Sequence, residues 1–268
     1  MEGLAKFMKT IFLLISGGGE AHEADELSQR KTWASAQSTD TEIIWLRGRP
    51  GNECSLESNV LYVPCENDFT SILEKTILGF RWVASNRDFD LVVRSNTSTY
   101  FNVEALSRNF SKFDLRSVGG TFETSRKPLG KYAKGYRYLN GSGLYLGKRA
   151  VDLICNMDHQ SYAGLPDDLA IHSFFEDSRI GFYHVPRNNL DLHHMFFPRF
   201  QVRVKSWSRN DLTISRMYYV HAYFQCRTFF ARIHQWIRIE LLEYSNSEIS
   251  INSFRNFRRR ILNYFKHL

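Results

Sequence analysis

Short unbroken apolar runs alternate along this chain with longer stretches of helical spacing. Phe12 to Ser16 is one such run, and Gly17-Gly18-Gly19 stops it, which predicts a buried first strand. Residues 22–37 are polar with a helical look. Glu42 to Leu46 predicts a second strand, broken at Gly48-Arg-Pro-Gly51, and Val60 to Val63 a short third. Between Asp68 and Asn86 the residues Ile72, Leu73, Thr76, Ile77, Phe80 and Val83 recur at three- and four-residue steps, the period of an amphipathic helix. Phe89 to Arg94 predicts another buried strand, which runs into Ser95-Asn-Thr-Ser98, and a helix is expected to begin near Asn102.

Strands that alternate with helices predict an α/β fold with a doubly wound, mostly parallel sheet and flanking helices. Such sheets bind ligands at the carboxyl ends of their strands, so the loops after residues 16 and 94 are the first places to look. Residues 117–146 are rich in Gly, Tyr and Lys and predict strands and loops, with Asn140-Gly-Ser-Gly143 as a tight turn. Residues 149–158 look helical, and Gly164-Leu-Pro-Asp-Asp-Leu169 opens another helix, with Pro166 and two aspartates suited to its first turn. Helical stretches are expected at about 216–243 and 250–267. The expected organisation is a catalytic domain over 1–212 and a basic helical extension over 213–268.

Charge sharpens that division. The 268-residue chain carries a formal net charge of +7. Residues 199–268 hold thirteen Lys/Arg against four Asp/Glu, a balance of +9, which leaves −2 for the rest. A basic tail on a nearly neutral body suggests an anionic surface as partner. Residues 250–267 carry an apolar stripe bordered by Arg255, Arg258, Arg259, Arg260 and Lys266, which suits an anionic membrane surface or packing on the body with solvated arginines. No nucleic-acid module accompanies the tail, so nucleic acid is not an expected partner. The run Ile11 to Ile15 is too short to span a bilayer, and the expected location is cytoplasmic, peripheral at the membrane. Cys54, Cys65, Cys155 and Cys226 form no CxxC pair, and four reduced thiols are expected.

Four segments, in order, resemble the β-1,3-galactosyltransferase and Fringe family. Arg30-Lys-Thr-Trp33 is similar to its Arg-x-x-Trp signature, and Phe89 to Asn102 to the strand leading into its acidic Asp-x-Asp motif. Asn140-Gly-Ser-Gly-Leu-Tyr145 resembles its Gly-rich acceptor-side motif, and Leu165-Pro-Asp-Asp-Leu169 its Glu/Asp-Asp-Val motif. The resemblance covers roughly residues 9–190 and is patchy between motifs.

The resemblance implies a GT-A fold, a UDP-sugar donor, a glycan or lipid-linked glycan acceptor, and an inverting transfer of a hexose or N-acetylhexosamine. It points to Asp168 as the catalytic base, with Asp167 beside it. Arg30, Trp33, Arg94, Asn96, Thr97 and Ser98 fall on the donor side, and Asn140, Gly141, Ser142 and Gly143 on the acceptor side. Plainer readings stand next to these. Two aspartates suit any helix N-terminus, Trp33 suits a core, Arg94 suits a salt bridge, and Asn96 to Ser98 suits a turn with local caps. One departure bears on the cofactor. Asn96-Thr97-Ser98 stands where the family has aspartates, and these side chains are poor Mn²⁺ or Mg²⁺ ligands. The expectation is metal-independent transfer with Arg30 or Arg94 screening the diphosphate. The alternatives are a metal held loosely, with His193 or His194 as ligands, and a catalytically inactive relative that binds carbohydrate or nucleotide.

Overall fold

The computed structural model describes residues 8–31, 33–35, 40–101, 103, 106, 113–185, 188–191 and 214–218. Its centre is an eight-stranded sheet of order β3-β4-β2-β1-β5-β8-β7-β9. The strands are β1 (Thr10–Ile15), β2 (Thr41–Gly48), β3 (Ser55–Glu57), β4 (Val60–Val63), β5 (Leu91–Asn96), β7 (Val118–Thr124), β8 (Arg137–Gly147) and β9 (Phe182–His184). β6 (Thr99–Phe101), β10 (Asn188–Asp191) and β11 (Ile214–Tyr218) form a separate three-stranded sheet of order β10-β11-β6. The helices are α1 (Glu20–Lys31), α2 (Ile72–Asn86), α3 (Lys148–Ile154) and α4 (Asp167–Asp177).

The parallel set β4-β2-β1-β5 continues through β7 and β9, and only β3 and β8 run against it. The expected α/β, mostly parallel sheet is therefore present. All six residues of β1 are buried, which is why its apolar run has no polar alternation. Ile11, Leu13 and Ile15 face a core shared with Ile77, Phe80 and Val83 of α2 and with Ala170, Ile171 and Phe175 of α4. Phe12 and Leu14 face the opposite core, with Trp33, Trp45, Leu91, Val93, Phe101 and Tyr145. Helix α2 lies close on the sheet because Gly79 has no side chain; a Cβ there would come within 2.6 Å of Leu46 Cδ2.

The chain leaves β1 toward β2 on one side and returns through α2 to β5 on the other. In sheets with such a reversal of strand order, the carboxyl ends of the strands on either side of it, here β1 and β5, are where ligands bind.

Two expectations need correction. Asn140 to Gly143 is not a free turn but lies within β8. Opposite it, β7 advances from Gly120 (paired with Leu144) to Phe122 (paired with Leu139), so Thr121 alone faces four residues. A wide bulge of this kind absorbs the small, flexible residues that read as a turn. The second concerns the helix expected from 216, whose first residues instead form β11, which pairs parallel with β10 and antiparallel with β6. Ladder partners on both sides decide the conformation there, over local propensity. The rest of the 216–243 and 250–267 stretches lies outside the described residues, as do His193 and His194. Cys54, Cys65 and Cys155 are free thiols. Among the described residues no helix is long and apolar enough to cross a membrane.

Candidate functional site

The loop after β1 is shaped by glycine. Gly18 and Gly19 have φ of +80° and +82°, the left-handed region that glycine adopts without strain. A Cβ at Gly18 would also come within 2.2 Å of the Asn67 carbonyl oxygen. Under this loop lies Lys75, 0% exposed, on the inner face of α2. Its ammonium donates to the Ser16 carbonyl and to Asn67 Oδ1, each at 2.8 Å. Burial lowers its pKa from the ordinary lysine value.

Helix α1 turns a polar face toward the loop after β5. His22 Nδ1 lies 2.8 Å from Thr97 Oγ1. Gln29 Nε2 donates to the Thr99 carbonyl at 2.9 Å and the Asn96 carbonyl at 3.3 Å, and its Oε1 accepts from Trp45 Nε1 at 3.1 Å. Asp25, 5% exposed, also bonds Thr97; burial pushes its carboxyl up to about 8. Asn96 Oδ1 accepts from Ser98 Oγ and Thr99 Oγ1, both at 2.8 Å, so the segment after β5 caps itself locally.

A second cluster sits where β5, the β8 bulge and the start of α4 meet. Arg94 is 3% exposed. Its Nη1 donates to the Gly141 carbonyl and its Nη2 to Asp167 Oδ2. Its Nε is buried with no hydrogen-bond partner among the described residues. Asp168, half-buried, accepts from Gly141 N at 3.1 Å and from Leu169 N at 2.9 Å. Burial and then the charge of Asp167 push its carboxyl up to about 6, against the pull of the Gly141 N–H, Arg94 and the Leu169 N–H. Only glycine fits at 141, because a Cβ would stand 2.3 Å from Arg94 Nη1 and 3.1 Å from Asp168 Cβ. The bulge is pinned on its far side. Ser142 N donates to Asn140 Oδ1 at 2.9 Å, and the Ser142 carbonyl accepts from Ser95 Oγ at 2.6 Å and Thr99 Oγ1 at 3.1 Å. Asn140 Nδ2 donates to Glu123.

The fold therefore joins Arg94, Asp167, Asp168 and Gly141 directly. Asn140 and Ser142 flank them, Gly143 belongs to the same bulge, and Asn96, Thr97 and Ser98 lie on the neighbouring loop. Arg30 and Trp33 are not brought to either cluster. Arg30 bonds Glu26 and stacks over Trp45 at 3.7 Å from the ring centroid. Trp33 packs edge-on to Phe12 and Phe101 at 5.6 and 5.1 Å, so its large apolar surface goes to the core. Arg94, for its part, is committed to Asp167 and Gly141 and is not free to screen a diphosphate.

The side chains at the end of β5, Asn96, Thr97 and Ser98, are an amide and hydroxyls, which are poor ligands for a divalent cation. Among the described residues no group of three or more His, Cys, Asp or Glu could hold a metal ion.

His22, Asp25, Gln29 and Lys75 were not singled out from sequence. Lys75 carried a signal, since it falls on the apolar stripe of its helix, three residues after Ile72. The other three look like the ordinary polar face of a surface helix.

No protein family matches this sequence, and no curated protein does. Among solved structures, an active-site mutant of LgtC matches over 94% of this chain and 100% of that chain, at 13% identity and a TM-score of 0.44. Galactosyltransferase LgtC in complex with donor and acceptor sugar analogues matches over 91% and 98%, at 12% identity and 0.43. A glycosyltransferase involved in glycosylation of the major capsid of PBCV-1 matches over 87% and 98%, at 13% identity and 0.44. Likeness at these TM-scores decides neither fold nor chemistry.

Proposed function

We propose that the chain is a nucleotide-sugar glycosyltransferase of GT-A type that works without a carboxylate-bound metal. The supporting observation is the Asp168 carboxylate. It is withdrawn from water, is pushed up to about 6 by that burial and then by the charge of Asp167, and stands beside an Asp167 that Arg94 already engages. Two adjacent acids with different surroundings suit different tasks: one is spent on structure and the other is left to take a proton.

In this reading Asp168 removes the proton of an acceptor hydroxyl. The hydroxyl oxygen forms a bond to the anomeric carbon of a UDP-linked hexose or N-acetylhexosamine, with inversion. The bond from that carbon to the diphosphate oxygen breaks, and UDP leaves with the electron pair. The donor lies in the crevice between the Ser16–Gly19 loop and Asn96–Ser98. The start of α1 stands at the first of these loops and the His22–Thr97 pair at the second, and the buried Lys75 ammonium, bonded to the Ser16 carbonyl, supplies positive potential beneath them.

Asp168→Asn is expected to lower turnover by about a thousandfold or more while donor binding survives. The wild-type rate should fall as pH drops through about 6, because protonated Asp168 cannot act as a base. An active Asp168→Asn variant with the same pH profile would remove Asp168 from this role.

A second reading, an inactive nucleotide- or carbohydrate-binding relative, draws on the local caps of Ser98 and Thr99 on Asn96, which make that loop a self-contained turn. Calorimetry with UDP-sugars in the presence of Mn²⁺ or EDTA separates the two. The metal-free enzyme binds and hydrolyses donor equally in both, whereas binding without any hydrolysis or transfer favours the inactive relative.

A further inference from the structure

The connection from β7 to β8, residues 125–136, is a built structure. Ser125 N donates to the Tyr136 carbonyl at 2.9 Å and Gly135 N to the Ser125 carbonyl at 3.0 Å. Leu129 and Tyr132 exchange two backbone hydrogen bonds of 3.0 Å. The segment meets the chain on both sides of the candidate base, at Leu165 before α4 and at His172 within it. Gly130 lies on Leu165, three residues before Asp168; a Cβ there would be 2.7 Å from Leu165 Cδ2. Tyr136 stands edge-on to His172, one turn after Asp168, with ring centroids 6.0 Å apart, and donates its hydroxyl proton to Glu176 at 2.5 Å.

This segment and the first residue of β8 carry Arg126, Lys127, Lys131, Lys134 and Arg137 and no acidic residue. All five cations are exposed. Among the described residues none of them forms an ion pair with a carboxylate. Five like charges on one short ordered segment with no carboxylate of its own generate a local positive field. Between them, Tyr132 and Tyr136 pack with centroids 4.5 Å apart, both half-buried, and so offer partly open ring surface. Aromatic surface among cations, next to a base that awaits a sugar hydroxyl, fits a charged pyranose chain.

We propose that residues 125–137 form the acceptor-recognition surface and that the acceptor is an anionic saccharide, whose carboxylates or phosphates are met by these five side chains. The inference rests on the glycosyltransferase reading for the word acceptor, but it is tested by binding alone. The full chain is titrated against a uronate-containing oligosaccharide, the same oligosaccharide after reduction of its carboxyl groups, and a phosphorylated neutral oligosaccharide. The comparison protein is the Arg126→Ala, Lys127→Ala, Lys131→Ala, Lys134→Ala variant, with its fold checked by thermal unfolding.

The wild type is expected to prefer an anionic form over the reduced form by about tenfold, and the variant to lose most of that preference while its affinity for the reduced form is unchanged. The preference should also shrink between about 50 and 200 mM salt. Which of the two anionic probes is preferred identifies carboxylate or phosphate as the recognised group. Tyr132→Ala, a second variant outside the charge set, should weaken charged and reduced saccharides alike. Equal binding of all probes by wild type, or equal preference in wild type and variant, overturns the proposal. So does a larger loss by the variant toward single-stranded DNA, or toward phosphatidylglycerol vesicles, than toward the anionic saccharide. A surviving charge preference combined with a fully active Asp168→Asn variant would separate this surface from the assignment of the base.

Discussion

Asp25 and Asp168 are both acids withdrawn from water, yet their surroundings give them different uses. Asp25 is buried against Thr97, in the segment after β5, with its carboxyl pushed up to about 8. A carboxyl raised in this way favours the folded state while it is protonated. That contribution is complete below the ordinary value of 3.8 and is lost as pH rises toward about 8. Asp25→Asn is therefore expected to flatten the pH dependence of stability and to gain about 1–3 kcal/mol at pH 8 relative to the wild type. Thermal unfolding at pH 5 and pH 8 checks it, and a difference between the two proteins that is the same at both pH values would contradict it. Asp168 was singled out because Leu165-Pro-Asp-Asp-Leu169 resembles a family motif, while the proline and two acids by themselves marked only a helix start. Asp25, His22 and Gln29 were not, because nothing in the spacing of a polar helix tells which face meets a neighbouring loop and which meets water. Lys75 lay between these cases, a cation on an apolar stripe whose partners, a carbonyl at Ser16 and the amide of Asn67, come from distant parts of the chain.

At the scale of elements, the alternation of apolar runs and helical spacing gave β1, β2, β4, α2 and β5 close to their observed bounds, since strands buried on both faces leave unbroken apolar runs. β8 was harder. Asn140-Gly-Ser-Gly143 has the composition of a turn, and only the ladders on both sides keep it in the sheet. The bulge joins the two halves of the site: its Gly141 N–H reaches Asp168 and its carbonyl reaches Arg94. Gly141→Ala is expected to displace the Arg94 guanidinium, cost about 1–3 kcal/mol of stability, and lower kcat more than it raises KM for the donor. Urea unfolding and steady-state kinetics measure both, and a variant with wild-type stability and turnover would mean that the close approach is dispensable. The short strands β3, β6, β9, β10 and β11 carried too few residues for a period to register, and their pairing is decided by the partners that the fold supplies.

Across the whole molecule, the alternation of elements pointed to the loops after residues 16 and 94, but the strand order that reverses at β1 and β5 came only with the structure, because the order of elements along a chain does not fix the order of strands in a sheet. The separation of charge was legible, but its use was not. The basic tail drew attention to residues 199–268, whereas the cations of the β7–β8 connection, a segment that packs on the helix of the candidate base through Tyr136, were hidden in a chain average of +7. The β8 bulge has a consequence that reaches beyond the site. Leu139 and Leu144 are five residues apart, an odd interval that would send them to opposite faces of an unbroken strand, yet both line the α2–α4 core. Four residues opposite one make a net insertion of three, an odd number, which resets the phase of the strand. The bulge therefore decides which face of β8 meets the helices: it keeps Leu144 and Leu146 on the α2–α4 side and the bulky Tyr145 on the Trp45 side, so the path of this segment sets the packing of both layers.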